Sequence, residues 1–196
     1  VMAVSVSKSG FGGALGAMSM PIMLFVLPPK VALGVLLPLF LLTDVWVVYL
    51  WRNWLSRRFL MFMCGFGVAG QLVGWLLFAY LSDRLLTGSI GVVGILTALN
   101  YARQIAFPDG ETSSETAARM MRRIWVRAPA WCGLSGLASF VSLSGGIPVQ
   151  IFLLPHALAR QSFVGTMSVY FFVINLAKLP FYNELDLINR DTVLLS

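Results

Sequence analysis

Hydrophobic positions along this chain come in runs of about twenty, the length needed to cross a bilayer core, separated by short polar turns. The runs at 31–51, 59–80, 85–105 and 161–181 each predict one helix. Two further apolar stretches, 1–27 and 124–154, carry polar and glycine-rich interruptions. The first interruption is Lys8-Ser9-Gly10-Phe11-Gly12-Gly13, after which the apolar run resumes through Pro21 to Leu27. The second is Ser142-Leu143-Ser144-Gly145-Gly146-Ile147-Pro148. Paired glycines loosen the backbone, and Pro148 lacks an N–H and pushes Ile147 away from helical angles. The helix is therefore expected to break there and restart near Ile147–Pro148, since proline suits a first turn. Inside lipid, such a break is tolerated only where protein or a water-filled cavity satisfies the freed amides.

The two interrupted stretches share an order of features. Gly12-Gly13 precedes a short apolar run, a proline loop with Lys30, then Gly34 and, ten residues on, Asp44. Gly145-Gly146 precedes a short apolar run, a proline loop with Arg160, then Gly165 and, ten residues on, Asn175. The offset is 133 at the glycines and 131 after the loops. This predicts two repeats, 1–106 and 124–196, joined by a polar cytoplasmic loop at 107–123. With four spans in a repeat, an even number, the halves are expected to run parallel. Interrupted helices at matching places in two halves point to a transport site.

Composition agrees with a membrane setting. Of the 196 residues, 58% are hydrophobic and 11% charged, and the mean hydropathy is +0.83. Soluble domains carry about a quarter charged residues. The expected class is all-α, a polytopic helical membrane protein, because no alternating ten-residue strands of a barrel occur. The net charge of +6 does not indicate nucleic acid, since the basic residues sit at the ends of the apolar runs. Arg52, Arg57, Arg58, Arg103, Arg119, Arg122, Arg123 and Arg127 fall on one expected side, and Lys30, Arg84 and Arg160 on the other. That asymmetry places the first set in the cytoplasm, at the cytoplasmic membrane. The 182–191 stretch is polar and expected at the interface. Val1 is already in apolar sequence and 192–195 begins another apolar run, so the chain reads as a fragment lacking C-terminal spans. Cys64 and Cys132 read as packing residues, and His156, the one histidine, as a loop residue without partners for a metal cluster.

Several spaced motifs resemble the TauE/SafE family of sulfite and organosulfonate exporters. They are Lys8-Ser-Gly-Phe-Gly-Gly13 with Met20-Pro21, Leu37-Pro38 and Thr43-Asp44 in the first half. In the second they are Ser144-Gly-Gly-Ile-Pro148, Phe152-Leu-Leu-Pro155, Phe163-Val-Gly-Thr166 and Asn175-Leu-Ala-Lys178-Leu-Pro180. Ile147 departs from the second proline that the resemblance leads us to expect. The resemblance implies secondary, gradient-driven transport of small anions, often sulfur oxyanions or organosulfonates.

The candidate chemistry follows from the breaks. Helices restarting in the membrane present free amides and positive dipole ends, which bind oxyanions without a special side chain. The substrate-binding candidates are Lys8, Ser9, Gly12, Gly13, Ser144, Gly145, Gly146, Gln150, Thr166, Asn175 and Lys178. For the glycines, the competing reading is close helix packing. Lys8 either meets the anion or snorkels to the headgroups. Asp44 is the coupling candidate, because an intramembrane carboxylate is costly and functional by default; it carries a proton or sodium ion, or pairs with Lys8 or Lys178. Lys178 attracts anions or, being next to Pro180, sits at the interface. Ser142, Ser144 and Thr166 either serve an oxyanion or bond a carbonyl one turn back. Gln71 and Asn100 read as bonds between helices, and Gly70-x-x-x-Gly74 as a contact face. No phosphate loop, dinucleotide fold, metal or cofactor is implied, and no enzyme is expected. The expected partners are a small anion, the bilayer, a coupling ion and a second copy in a homodimer. The rival to coupled transport is a passive anion channel or a membrane assembly subunit.

Overall fold

The computed structural model describes residues 14–55, 57–78, 80–106, 124–153 and 158–187. Their regular structure is helical: α1 Ala14–Met23, α2 Pro29–Trp51, α3 Arg57–Phe78, α4 Asp83–Ala106, α5 Ile124–Ser142, α6 Gly146–Leu153 and α7 Arg160–Glu184. Pro29–Trp51, Phe59–Phe78 and Arg160–Glu184 are long and apolar enough to cross a membrane. The loop 107–123, His156, and the first break with Lys8, Ser9, Gly12 and Gly13 lie outside the described residues.

Local chemistry sets the helix ends. Pro29 opens α2, where its missing N–H costs no hydrogen bond, and Pro28 before it is extended at φ −57°, ψ 150°. At the far end of α7, Asp186 turns left-handed at φ 56°. Its N–H donates to the Asn183 carbonyl at 3.1 Å, and the Leu187 N–H donates to the Tyr182 carbonyl at 2.9 Å. This pair of bonds closes the helix, and Leu187 and Tyr182 bury their side chains in one cluster beneath it.

Glycines bring α3 and α5 into backbone contact. A Cβ on Gly136 would fall on the Gly67 carbonyl, and one on Gly70 would fall on the Gly133 carbonyl. Gly74 lies under the Phe140 ring, so the Gly70-x-x-x-Gly74 face is the contact face its spacing predicts. Phe59 packs with Ala128 and Cys132 at one end while Gly74 meets Phe140 at the other, so α3 and α5 run in the same direction.

The fifth element does not cross as a kinked rod. After Ser142 the chain turns at Leu143, left-handed at φ 54°, and Gly145 lies back against Ser135 and Ser139 of α5. α6 then returns toward the end where α5 began, its Val149, Phe152 and Leu153 packing with Ala128 and Cys132. The element is a hairpin that enters and leaves at one end of the bundle. This reverses α7. Gly165, near the start of α7, lies against the carbonyls of Trp51 and Trp54 at the end of α2. Tyr182 and Leu185, at the end of α7, pack with Leu33 and Leu36 near the start of α2. α2 and α7, the pair aligned by the 131-residue offset, are therefore antiparallel, and the expected parallel direction is corrected. The parity argument counted the interrupted element as a crossing, whereas a hairpin contributes none.

The same geometry moves one charge. Arg160 begins α7 beside Trp51 and Trp54, at the end that holds Arg52 and Arg57. The opposite end holds Lys30, paired with Asp83 at 3.1 Å. Arg160 was expected with Lys30 and Arg84; it joins the majority set, and the basic asymmetry sharpens. A membrane-impermeant thiol reagent should therefore label Arg160→Cys and Arg52→Cys from one face of sealed vesicles and Lys30→Cys from the other. Labelling of Arg160→Cys together with Lys30→Cys would refute the hairpin.

Two apolar clusters fill the bundle. One gathers the first half of α2 with Met20, Phe78, Leu86, Ile90, Phe140 and Tyr182. The other gathers Phe59, Met63, Ala128, Cys132, Val149, Phe152, Met167, Tyr170 and Ile174. Ser135 and Ser139 on α5, and Asn175 and Lys178 on α7, are buried polar residues that fall between these clusters.

Candidate functional site

The polar waist is built from α2, α5 and α7. Asp44 comes from α2, one residue past Thr43, whose hydroxyl bonds the Phe40 carbonyl at 2.9 Å within its own helix. Asp44 is 1% exposed, Asn175 3% and Lys178 0%. The Asn175 amide nitrogen donates to Asp44 Oδ2 at 2.6 Å. Lys178 Nζ donates to Asn175 Oδ1 at 2.9 Å and to Ser139 Oγ at 2.8 Å. The amide of Asn175 thus joins a carboxylate to an ammonium, presenting N–H to one and carbonyl to the other. Such a bridge is what buried charge requires, because burying a charged group without a hydrogen-bonded partner is costly.

Lys178 was read as either an anion contact or an interfacial lysine. The interfacial reading is corrected: α7 continues through Pro180 to Glu184, so Lys178 lies a turn and a half inside the helix. Its spacing from Asn175, three residues, puts both on one helical face.

A serine face on α5 completes the waist. Ser135, Ser139 and Ser142 follow a four-then-three spacing and are all buried. Ser135 Oγ donates to the Gly145 carbonyl at 2.6 Å and accepts from the Tyr170 hydroxyl at 3.0 Å. Ser142 Oγ donates to the Ala138 carbonyl at 2.8 Å, one turn back. Ser144 Oγ donates to the Ser142 carbonyl at 3.0 Å. Ser135 and Ser139 were missed in the sequence, although a helical reading of Ser135-x-x-x-Ser139-x-x-Ser142 contained them.

The restart of α6 sits against this face. Gly145 has no room for a side chain between Ser135 and Ser139, and Pro148 falls in the first turn of α6, as expected. The first turn of a helix has no internal acceptors for its N–H groups, and that of α6 begins one residue after Gly145, which lies against Ser139. The Phe171 ring lies over Gly146. Gln150 follows one turn along α6 and is half-buried. Thr166 is wholly buried but lies about 13 Å along α7 from Asn175, beside the Trp51–Trp54 turn. The structure therefore joins Asp44, Asn175, Lys178, Ser144, Gly145 and Gly146 around one waist and leaves Thr166 apart. Gln71 binds between helices as read, its amide nitrogen donating to the Ile174 carbonyl at 2.9 Å.

No curated protein and no solved structure matches the chain. A family model described as sulfite exporter TauE/SafE matches residues 1–195. With its apolar helices, and with buried cationic chemistry beside a broken helix, the chain is an integral membrane protein and belongs to the TauE/SafE sulfite exporter family.

Proposed function

We propose that this protein is a secondary transporter that carries a small oxyanion, sulfite or an organosulfonate, across the cytoplasmic membrane. The observation that carries the proposal is the wholly buried Lys178 ammonium beside the restart of α6. An oxyanion there meets a fixed positive charge and the N-terminal amides of a helix. Without substrate, Asn175 relays the lysine's charge to Asp44. When an anion engages Lys178, Asp44 loses that compensation and takes up a proton or a sodium ion. Anion and cation then travel together.

The repeat register supports alternating access. Asp44 and Asn175 stand 131 residues apart, the same offset that relates the two halves, and they touch. α1 and α6, which follow the two breaks, also touch. Equivalent parts that touch each other lie on the axis relating them, and antiparallel α2 and α7 put that axis across the helices. The halves 1–106 and 124–196 then form inverted repeats, joined by a cytoplasmic loop at 107–123, that rock around the waist.

Purified protein in liposomes should move sulfite down its gradient, accelerated by an opposing proton or sodium gradient. Asp44→Asn should abolish flux or remove its response to the ion gradient. Flux that is indifferent both to ion gradients and to Asp44→Asn would show a passive channel instead. No flux of any oxyanion tested would reject transport itself.

A further inference from the structure

Hydroxyl groups around the second break are spent unequally. Ser135 caps the Gly145 carbonyl, Ser142 caps the Ala138 carbonyl and Ser144 caps the Ser142 carbonyl. The Leu143 N–H adds a bond to the Ser139 carbonyl at 3.1 Å. The carbonyls of Ser139, Ser142 and Gly145 at the break thus accept from donors of the chain itself. Ser139 differs. Its Oγ accepts from Lys178 at 2.8 Å, which leaves the hydroxyl hydrogen available to donate. Ser139 is 2% exposed, and Gly145, at the entrance to α6, lies against its Cβ. The residue therefore stands between the ammonium and Gly145, the residue that leads into α6.

We infer that Ser139 is a specificity-determining residue that donates its hydroxyl hydrogen to an oxygen of the bound anion. This rests on the transport reading above and names the donor that reading lacks. The waist then offers the Ser139 O–H beside the Lys178 charge, with the Ser139, Ser142 and Gly145 carbonyls already engaged. Such a set favours a ligand whose oxygens only accept: a fully deprotonated oxyanion or sulfonate. A ligand bringing its own O–H or N–H finds its donors poorly matched there. The serines at 135, 142 and 144 act on the same selection indirectly, by removing acceptors from the break.

The test uses sulfite with the purified chain in liposomes, and melting of the same protein in detergent. Ser139→Ala should raise the KM for sulfite about tenfold or more, the usual effect of losing a hydrogen bond to a charged group. Its maximal rate and melting temperature should stay close to the parent's. Ser168→Ala in α7, whose hydroxyl donates to the Val164 carbonyl of its own helix at 2.7 Å, should leave KM unchanged. An unchanged KM in Ser139→Ala, with or without a lower melting temperature, would overturn the inference and leave Ser139 as a structural partner of Lys178. Equal rises in KM for Ser139→Ala and Ser168→Ala would also overturn it, because the effect would then follow from losing any buried hydroxyl of the bundle. A parent protein that neither binds nor moves sulfite fails at the earlier step, separately from the Ser139 comparison.

Discussion

Lys178→Met should abolish sulfite flux and lower folded stability by about 3–5 kcal/mol, the usual consequence of stripping one partner from a buried ion pair. Methionine matches the lysine stem in length but brings no charge. Asp44 would then stay 1% exposed, bonded to the Asn175 amide but without the ammonium that Asn175 links to it. Adding Asp44→Asn removes the charge that Lys178 had balanced. The double variant Lys178→Met/Asp44→Asn should therefore melt near the parent temperature while still failing to transport. Melting in detergent and flux in liposomes separate the two roles. A single variant as stable as the parent would mean that Lys178 does not balance Asp44. Transport by the double variant would mean that Lys178 is not the anion's contact.

Gly136→Ala should be among the most damaging single methyl additions in the chain. The new Cβ would overlap the Gly67 carbonyl, and neither backbone can yield without parting α3 from α5. Overpacking costs about 1–3 kcal/mol where side chains can adjust, and backbone against backbone belongs at or beyond the top of that range. The control is Gly88→Ala in α4, where a Cβ meets nothing within 4 Å. In a helix interior, alanine is better than glycine by about 0.8–1.0 kcal/mol, so Gly88→Ala should be neutral or stabilising. The yield of monodisperse protein after detergent extraction, and its melting temperature, read out both. Normal yield and melting of Gly136→Ala would show that α3 and α5 are not in backbone contact.

Much of this molecule was legible before any coordinates. Twenty-residue apolar runs gave each long helix to within a few residues, because helix length in lipid is set by bilayer thickness. Gly145-Gly146 and Pro148 located the second break, since glycine and proline act on the backbone within a turn of themselves. The 131-residue offset singled out Asp44 and Asn175, and these are the two side chains that meet. The prediction failed on depth and direction. Lys178 looked interfacial because Pro180 suggests a helix end, yet α7 packs on through that proline. Arg160 was assigned to the wrong end, and the halves to the wrong relative direction, from one error: the interrupted element was taken to cross.

Residue order alone sets the helices, the place of the second break and the pair of residues that joins α2 to α7. These are short-range properties or matters of register, written in residue type and spacing. Packing in three dimensions makes the chain double back after Leu143, seals Lys178 inside and sets the Ser139 hydroxyl against it. A chain leaving a break can continue or return at similar local cost. The choice is made by what it packs against, here Gly145 on the serine face of α5 and α6 on Ala128 and Cys132.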